Sequence, residues 1–245
     1  MPLILASRPN VYTGSPLDRA NERREDAAWV HMALNAADTL VTVTVMPSVV
    51  RNIGGYAYLA WPVAVYLLGA IMGGASAGHF AHTRGLRAAL FVSAILYAIG
   101  CVLSALAHAM PMFLAGRFLQ GIGAGLIVGL CYVAMNTLFP ATHYRRVLAL
   151  LSGIWGIATV LGPLLGGLFS HGSDWQILFW MFAAQGALFA GAILVLVPKR
   201  AGDEGDSAVP VCTLVLLSAA VIANLLAGIA GNMAISVAML ALTVI

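Results

Sequence analysis

Seven long apolar runs cross this chain and decide what it can fold into. An α-helix needs about 20 apolar residues to cross the hydrocarbon core of a bilayer. Charged residues are only 9% of the chain, too few to cover a water-facing surface, and membrane barrel strands would alternate apolar with polar residues. The sequence therefore predicts an all-α polytopic membrane protein with spans at Trp29–Val50, Tyr58–Gly78, Ala88–Ala107, Met112–Leu138, Val147–Phe169, Ile177–Val197 and Val211–Ile229.

A polar linker over 199–210 follows the sixth run and divides the chain. We expect an N-terminal segment over 1–27, a six-span bundle over 28–198, the linker, and a seventh span with an incomplete eighth over 211–245. The last stretch, Met233–Ile245, is apolar but too short to cross a bilayer. We therefore expect a fragment or the product of a split or disrupted gene, and a re-entrant or interfacial segment is the alternative.

Lysine and arginine are distributed unevenly among the loops. Ten of them precede the first run or follow the second, fourth and sixth, whereas only Arg51 follows the first. The positive-inside rule then places the N-terminus in the cytoplasm. A plasma membrane or bacterial inner membrane fits such a protein. Because the basic residues are scattered among loops, we expect no nucleic-acid partner.

Two charged residues, Asp38 and Arg117, lie inside the runs. A charge at the centre of a span costs about 2.5–3.5 kcal/mol on insertion scales, so such residues usually have a function. Asn35 and Thr42 lie within one helical turn of Asp38 and broadly share its face. Asp38 is either a structural acid bonded to a neighbouring helix, or a carboxylate that alternately binds and releases a proton or pairs with a cationic substrate.

Arg117 begins a polar stretch in the fourth run, with Gln120 one turn further on. It is either a structural or snorkelling arginine, or a fixed positive charge facing a central cavity. In the second case it biases a nearby acid toward its ionised form.

Aromatic side chains in the second run, among them Trp61 and Tyr66, have two interpretations. They are either core or interfacial aromatics, or cavity-lining rings suited to lipophilic or cationic substrates. Trp175 and Trp180 are most simply interfacial anchors.

Glycines recur at positions that favour close helix packing. Gly121, Gly125 and Gly129 share one helix face, and small residues at that spacing let helices approach closely. In the fifth run Pro163 removes a backbone donor and is expected to kink the helix. Packing alone is the simplest interpretation, and a rocking surface is the functional one.

Three segments together resemble the signature motifs of the major facilitator superfamily. They are RFLQGIGAG from Arg117, GIATVLGPLLGG from Gly156 and GHFAHTRGLR from Gly78. The GPLLGG element is similar to the motif of the superfamily's antiporters. ADTLVTVTVMP around Asp38, with Trp61 and the Tyr66-Leu67-Leu68 triplet, resembles the fourteen-span drug:proton antiporter family. The resemblance covers about residues 28–198.

The resemblance implies the N-terminal six-helix bundle of such a transporter, with Asp38 and Arg117 coupling protons to transport. It assigns the seal against a second half to the antiporter motif and a cytoplasmic gate to the loop motif. His82 stands where the family usually has an acid, which puts that gate in doubt. The antiporter motif comprises Gly156, Gly162, Pro163, Gly166 and Gly167, and the loop motif comprises Gly78, His82, Gly85 and Arg87.

Proton-coupled export of small amphipathic or drug-like molecules is the leading functional hypothesis. Superfamily transporters bind substrate between two halves, so a partner half is implied: a missing C-terminal part, a separate chain or a second copy. A non-transporting half-length remnant or scaffold is one alternative, and an importer of a small polar solute is another. The chain shows no nucleophile–base constellation, metal-spaced histidines or phosphate-cradling loop, so we expect no catalytic residues, metal or cofactor.

Overall fold

The structure, a computed structural model, describes residues 38, 40–138, 144–169 and 175–197. Within these ranges the chain is helical and contains no strand. Asp38, just before the first described helix, is helical as well. The helices are α1 (Leu40–Ile53), α2 (Trp61–Arg84), α3 (Leu86–Ala105), α4 (Met110–Leu138), α5 (Tyr144–Leu168) and α6 (Trp175–Leu196), and a short 3-10 turn (Tyr56–Tyr58) joins α1 to α2.

Four helices of the described part are long and apolar enough to cross a membrane: α2, α3, the first 24 residues of α4, and α6 up to Val195. The described part of α1 and residues Gly156–Leu168 of α5 are shorter apolar helices. The prediction of an all-α polytopic membrane protein is thus confirmed. The N-terminal segment, the linker, the seventh run and the incomplete eighth span lie outside the described residues, so the domain boundaries stay predictions.

The second helix runs further than the sequence predicted. We expected its span to end at Gly78, but α2 continues to Arg84. Gly78 therefore lies inside the helix, and His82 and Arg84 occupy its last turn. A cationic side chain such as Arg84 interacts favourably with the partial negative charge at a helix C-terminus, which is consistent with the extension.

Gly85 alone separates α2 from α3. Its φ of 75° lies in the region that a side chain disfavours, and it ends α2 while its own carbonyl accepts from Ala89 in the first turn of α3. The two helices run in opposite directions, because positions along α2 approach α4 in the same order and positions along α3 approach it in the reverse order. The glycine of the loop motif therefore has a backbone role.

The fourth helix is the centre of the described bundle, because α2 and α3 both pack on it and α3 also packs on α6. Glycines make this packing possible. A Cβ atom at Gly121 or Gly125 would collide with the α2 backbone at Tyr66 or Ala70, and one at Gly123 would collide with the α3 backbone at Tyr97. The predicted close approach along α4 is present, and it involves two neighbours rather than one.

Replacing Gly73 by alanine tests this close packing. The new methyl group would meet the α4 backbone at Ile122, so we expect Gly73→Ala to lower the free energy of unfolding by about 1–3 kcal/mol. The adjacent Gly74 has only an ordinary contact, 3.5 Å from the Gly125 carbonyl oxygen to the added Cβ. Gly74→Ala should therefore be neutral or stabilise by up to about 1 kcal/mol. Thermal unfolding in detergent compares them, and equal effects would contradict the packing described here.

Candidate functional site: a buried ion pair between the first and fourth helices

The two charges that the sequence placed inside spans form an ion pair. Arg117 Nη1 donates to both oxygens of Asp38, at 3.2 Å to Oδ1 and 3.4 Å to Oδ2. Both side chains are completely buried, at 0% exposure. The pair links the start of α1 to the middle of the bundle, and only one nitrogen of the guanidinium contacts the carboxylate.

Gln120 bridges the acid and the base. Its Nε2 donates to Asp38 Oδ2 at 2.6 Å, and its Oε1 accepts from Arg117 Nη1 at 2.7 Å. Gln120 lies one turn after Arg117 on α4, so both side chains project to the same side. The amide thereby fixes the relative position of the two charges. Thr42, another cavity candidate, is buried but donates to the Asp38 backbone carbonyl at 2.9 Å, so its hydroxyl serves α1 rather than the carboxylate.

Tyr97 of α3 is a member of the site that the sequence analysis missed. Its hydroxyl donates to Asp38 Oδ2 at 3.4 Å, and its side chain is completely buried. The close approach of Gly123 to the Tyr97 backbone brings α3 near enough for this contact. A stripe of small and polar residues on α3 marks the face that turns toward α4: Ser93, Tyr97, Gly100, Cys101 and Ser104.

Aromatic rings cover the guanidinium. The Tyr66 ring centroid lies 4.3 Å from Arg117 Cζ, and that of Phe179 lies 5.9 Å away. A cation over a ring gains about 0.5–2 kcal/mol, more where water is excluded. Of the two predicted cavity aromatics, Tyr66 is therefore in the site. Trp61 is half-buried at the start of α2, where its ring meets Tyr58 edge-on with ring centroids 5.6 Å apart.

The contacts around Asp38 are those of an ionised carboxylate. Arg117, Gln120 and Tyr97 all donate to it, and an ionised carboxylate only accepts. If Oδ2 is protonated, its O–H becomes a donor, yet the Tyr97 hydroxyl, Arg117 Nη1 and Gln120 Nε2 already point their own donors at that oxygen. Protonation therefore requires at least one of these hydrogen bonds to break, so the network must rearrange when the acid changes charge.

The hydrogen-bond donors to Asp38 are expected to contribute unequally to the free energy of unfolding. Gln120→Leu removes the 2.6 Å bond and leaves a buried oxygen short of a donor, so the free energy of unfolding should fall by about 1–3 kcal/mol. Tyr97→Phe removes only the longer 3.4 Å contact and should cost less, about 0.5–1 kcal/mol. Thermal unfolding of the two variants in detergent ranks them, and a larger loss for Tyr97→Phe would reverse our assignment of Gln120 as the main neutral partner.

Four buried polar atoms on α3, α4 and α6 have no hydrogen-bond partner within the described part of the chain. They are Nε and Nη2 of Arg117, Oγ of Ser104 and Nε1 of Trp175. An unsatisfied buried polar group costs about 1–3 kcal/mol. Trp175 is also wholly buried, so its interpretation as an interfacial anchor is wrong, whereas Trp180 is exposed on the same helix.

The structure does not bring the antiporter motif to the ion pair. Gly162 and Gly166 face the bundle, where a Cβ at Gly166 would crowd the Thr44 side chain of α1. Gly156, Pro163 and Gly167 are exposed, and α5 continues through the proline. Exposed apolar side chains share this outer region of α5, namely Ile157, Val160, Leu164 and Leu168.

The loop motif lies at the opposite end of α2 from Trp61, spread over two helices. His82 is exposed and Gly78 is half-buried. Arg87, in the first turn of α3, donates from Nη2 to the Leu194 carbonyl near the end of α6. This contact joins α3 to α6 at the end of the bundle that carries Arg84. Asn35, the remaining cavity candidate, lies outside the described residues.

Comparison with known proteins covers most of the chain, including segments outside the described residues. A family model described as Major Facilitator Superfamily matches residues 28–245. A protein of Mycobacterium tuberculosis named as a probable multidrug-efflux transporter is 33% identical over 201 residues, which are 78% of this chain and 42% of that protein. Multidrug resistance protein 3 of Bacillus subtilis is 26% identical over 155 residues, 63% of this chain and 30% of its own length. The chain therefore spans less than half the length of these relatives.

Solved structures share the helical arrangement. A crystal structure of a D-xylose–proton symporter superposes with a TM-score of 0.61 at 22% identity, covering 80% of this chain and 50% of that one. The inward-open xylose transporter from E. coli superposes with a TM-score of 0.56 at 23% identity, covering 87% of this chain and 53% of that one. At this level of identity the likeness describes the fold alone.

Proposed function

The chain belongs to the major facilitator superfamily, whose members are transporters and not enzymes, and from that premise we propose that it exports small amphipathic or drug-like molecules by proton antiport. The observation that carries the proposal is the buried network of Asp38, Arg117 and Gln120. Buried ionisable groups inside spans are costly and typically belong to ion or substrate pathways.

In this proposal Asp38 is the proton site and Arg117 is its electrostatic partner. The carboxylate accepts from Arg117, Gln120 and Tyr97 while it is ionised. Taking up a proton breaks part of this network and weakens the attraction between α1 and α4. Asp38 thereby links its charge state to the packing of two helices, which is what coupling to a conformational change requires.

Relatives support export of drug-like molecules over other cargo. The M. tuberculosis relative carries a multidrug-efflux name and the B. subtilis relative a multidrug-resistance name. The xylose transporters share only the fold at 22% and 23% identity, so they do not argue for sugar uptake.

We propose that a second helical bundle completes the transporter. Superfamily transporters bind cargo between two bundles that rock against each other, and this chain spans 42% of its M. tuberculosis relative. The outer region of α5, with exposed Val160, Leu164 and Leu168, is a candidate contact for that bundle. The second bundle is a further part of the same protein, a separate chain or a second copy.

We propose that the N-terminus is cytoplasmic, in agreement with the distribution of basic residues. Arg84 and Arg87 then lie at the cytoplasmic end of the bundle, and Arg51, at the end of α1, lies at the opposite end. The first turns of α4 and α6 belong to the same end as Arg51.

Transport in proteoliposomes tests the proposal. The protein, with any second bundle it has in the cell, is reconstituted with ethidium outside and an acidic interior, so that outward proton flow can drive dye uptake. We expect uptake that stops when nigericin collapses the pH gradient and that empty vesicles do not show. Gradient-independent uptake would contradict antiport. No uptake across a panel of lipophilic dyes, by protein that unfolds cooperatively, would favour the scaffold alternative.

A further inference from the structure

We propose that the free edge of Arg117, together with Ser104 and Trp175, forms a buried hydration site that stabilises the guanidinium when Asp38 is protonated. The proposal rests on the proposed function, because it concerns the moment at which Asp38 changes charge. The ligand is water, and the residues that hold it are positioning residues for the ion pair.

Arg117 uses only part of its hydrogen-bonding capacity. A guanidinium has five N–H donors in a planar fork, and Asp38 and Gln120 both contact Nη1. Nε and Nη2, which form the side edge of the fork, have no partner among the described residues although the side chain is wholly buried. The Arg117 Cζ atom lies over the Tyr66 ring, 4.3 Å from its centroid, and a ring contact of this kind does not satisfy the N–H donors of Nε and Nη2.

Two further unpartnered groups lie within one turn of α4 around Arg117. The hydroxyl of Ser104 contacts Gly116, the residue before Arg117. The Trp175 ring packs edge-on against Phe113, one turn earlier on α4, with centroids 5.8 Å apart. Phe179 contacts both Trp175, at 6.1 Å, and the Arg117 guanidinium, at 5.9 Å. Helices α3, α4 and α6 thus each carry an unsatisfied polar group near the stretch of α4 from Phe113 to Arg117.

The chemistry of this cluster selects water as its ligand. Nε, Nη2 and the indole N–H only donate, and the Ser104 hydroxyl both donates and accepts, so an oxygen acceptor is required. Asp38 already neutralises Arg117, so a second anion would leave an unpaired negative charge in the bundle, which is costly. Water satisfies several buried polar groups without adding charge, and buried waters typically make about three hydrogen bonds.

Hydration matters most after protonation. Once Asp38 is neutral, no other acid in the described part of the chain faces Arg117. The described groups around it are Tyr66 on α2, Tyr97 and Cys101 on α3, Gln120 on α4 and the aromatic Phe179 on α6. Water on the free edge then replaces part of the lost interaction. Without this water, the buried Arg117 cation would lose its counter-charge with nothing to replace it, and protonation of Asp38 would be less favourable.

Radiolytic hydroxyl-radical labelling of the protein in lipid nanodiscs tests for the site, because X-rays generate radicals from bound water and label nearby side chains. We expect labelling of Trp175 and Tyr66, although both are buried. Met46 is equally buried and easily oxidised, and should stay unlabelled as the dry control. Labelling of Trp175 no stronger than that of Met46 would overturn the proposal.

Ser104→Ala should remove most of the Trp175 labelling because it deletes one anchor of the water. Ser93→Ala is the matched control, since Ser93 is buried on the same helix but donates to the Ala89 carbonyl at 2.7 Å. Trp175→Phe gives a second readout through loss of Tyr66 labelling. Unchanged labelling of the remaining site residues in both Ser104→Ala and Trp175→Phe would refute the assignment. If added acetate suppresses the labelling, an anion occupies the site instead of water, which would also overturn the proposal.

The proposed role has its own measurement. Asp38→Asn imitates the protonated acid, so it should retain or increase Tyr66 labelling. Ser104→Ala should then lower Tm more in the Asp38→Asn background than in the native sequence, whereas equal shifts would overturn the role in stabilising Arg117. Labelling requires no transport, so the hydration site can be verified even if antiport fails its own test. Likewise, antiport can be verified in proteoliposomes even if the labelling experiment overturns the hydration site.

Discussion

Asp38→Asn is expected to abolish export driven by a pH gradient while exchange of labelled for unlabelled substrate continues. Asparagine keeps the size of the side chain and an oxygen for Gln120 but cannot bind a proton reversibly. Arg117 loses its counter-charge, so the free energy of unfolding should also fall, by up to about 3–5 kcal/mol. Transport is therefore compared at equal amounts of folded protein in proteoliposomes.

Asp38→Glu is the matched control for this prediction. It keeps a titratable carboxyl group one methylene further from the backbone, so gradient-driven export should persist at a reduced rate. Asp38→Asn with full gradient-driven export would show that the proton is carried elsewhere. Loss of exchange as well as of gradient-driven export would show that Asp38 binds substrate rather than protons.

Arg117→Leu is expected to be the most destabilising single substitution at the site. It leaves the Asp38 carboxylate buried at 0% exposure without a cation, and breaking a buried pair in this way costs about 3–5 kcal/mol. Arg51→Leu is the control, because Arg51 is exposed at the end of α1 and its hydrogen bonds within the described residues go to Pro47 and Ser48 of its own helix. Its effect should stay within about 0.5 kcal/mol.

The double variant Asp38→Asn with Arg117→Leu tests whether the two residues act as a pair. It removes both charges, so its stability should lie closer to the native protein than that of Arg117→Leu, with an interaction energy of about 0.5–3 kcal/mol. It should nonetheless fail to couple protons to export. Additive losses in thermal unfolding would mean that the 3.2 Å contact between Asp38 and Arg117 contributes little.

The sequence predicted the helices well because lipid imposes a simple length rule. Predicted spans at α3, α4, α5 and α6 agree with the structure to within about three residues at each end. Where the prediction was furthest off, at α2, the helix continues beyond the apolar run to Arg84. Hydropathy indicates which residues of a helix lie in lipid. It does not predict the end of the helix, because polar residues outside the lipid can continue it.

The candidate site was predicted in part. Scarcity of charge singled out Asp38 and Arg117, and the structure places them in contact, although their roles stay predictions. Spacing of one turn suggested that Gln120 accompanies Arg117, and its amide contacts both charges. These inferences needed only helical geometry within a single run.

Partners contributed by other helices were not predicted. Tyr97 lies in an apolar run without a motif, and it reaches Asp38 because glycines let α3 approach α4. Trp175 looked like an interfacial anchor, yet its ring is buried against Phe113 and Phe179. The polar stripe on α3 from Ser93 to Ser104 was the available signal, because small and polar residues at helical spacing mark an inward face.

Proton release on substrate binding tests the central claim most directly. Ethidium, or the dye that the transport panel identifies, is added to the detergent-solubilised protein in weakly buffered solution, and the pH is followed. The measurement is repeated from neutral to acidic pH, because the network in the structure is that of the ionised acid. In the acidic range, where Asp38 carries its proton before the dye binds, binding should release protons, whereas Asp38→Asn should bind the dye and release none. Equal proton release by the native protein and Asp38→Asn would contradict the assignment of Asp38 as the coupling site.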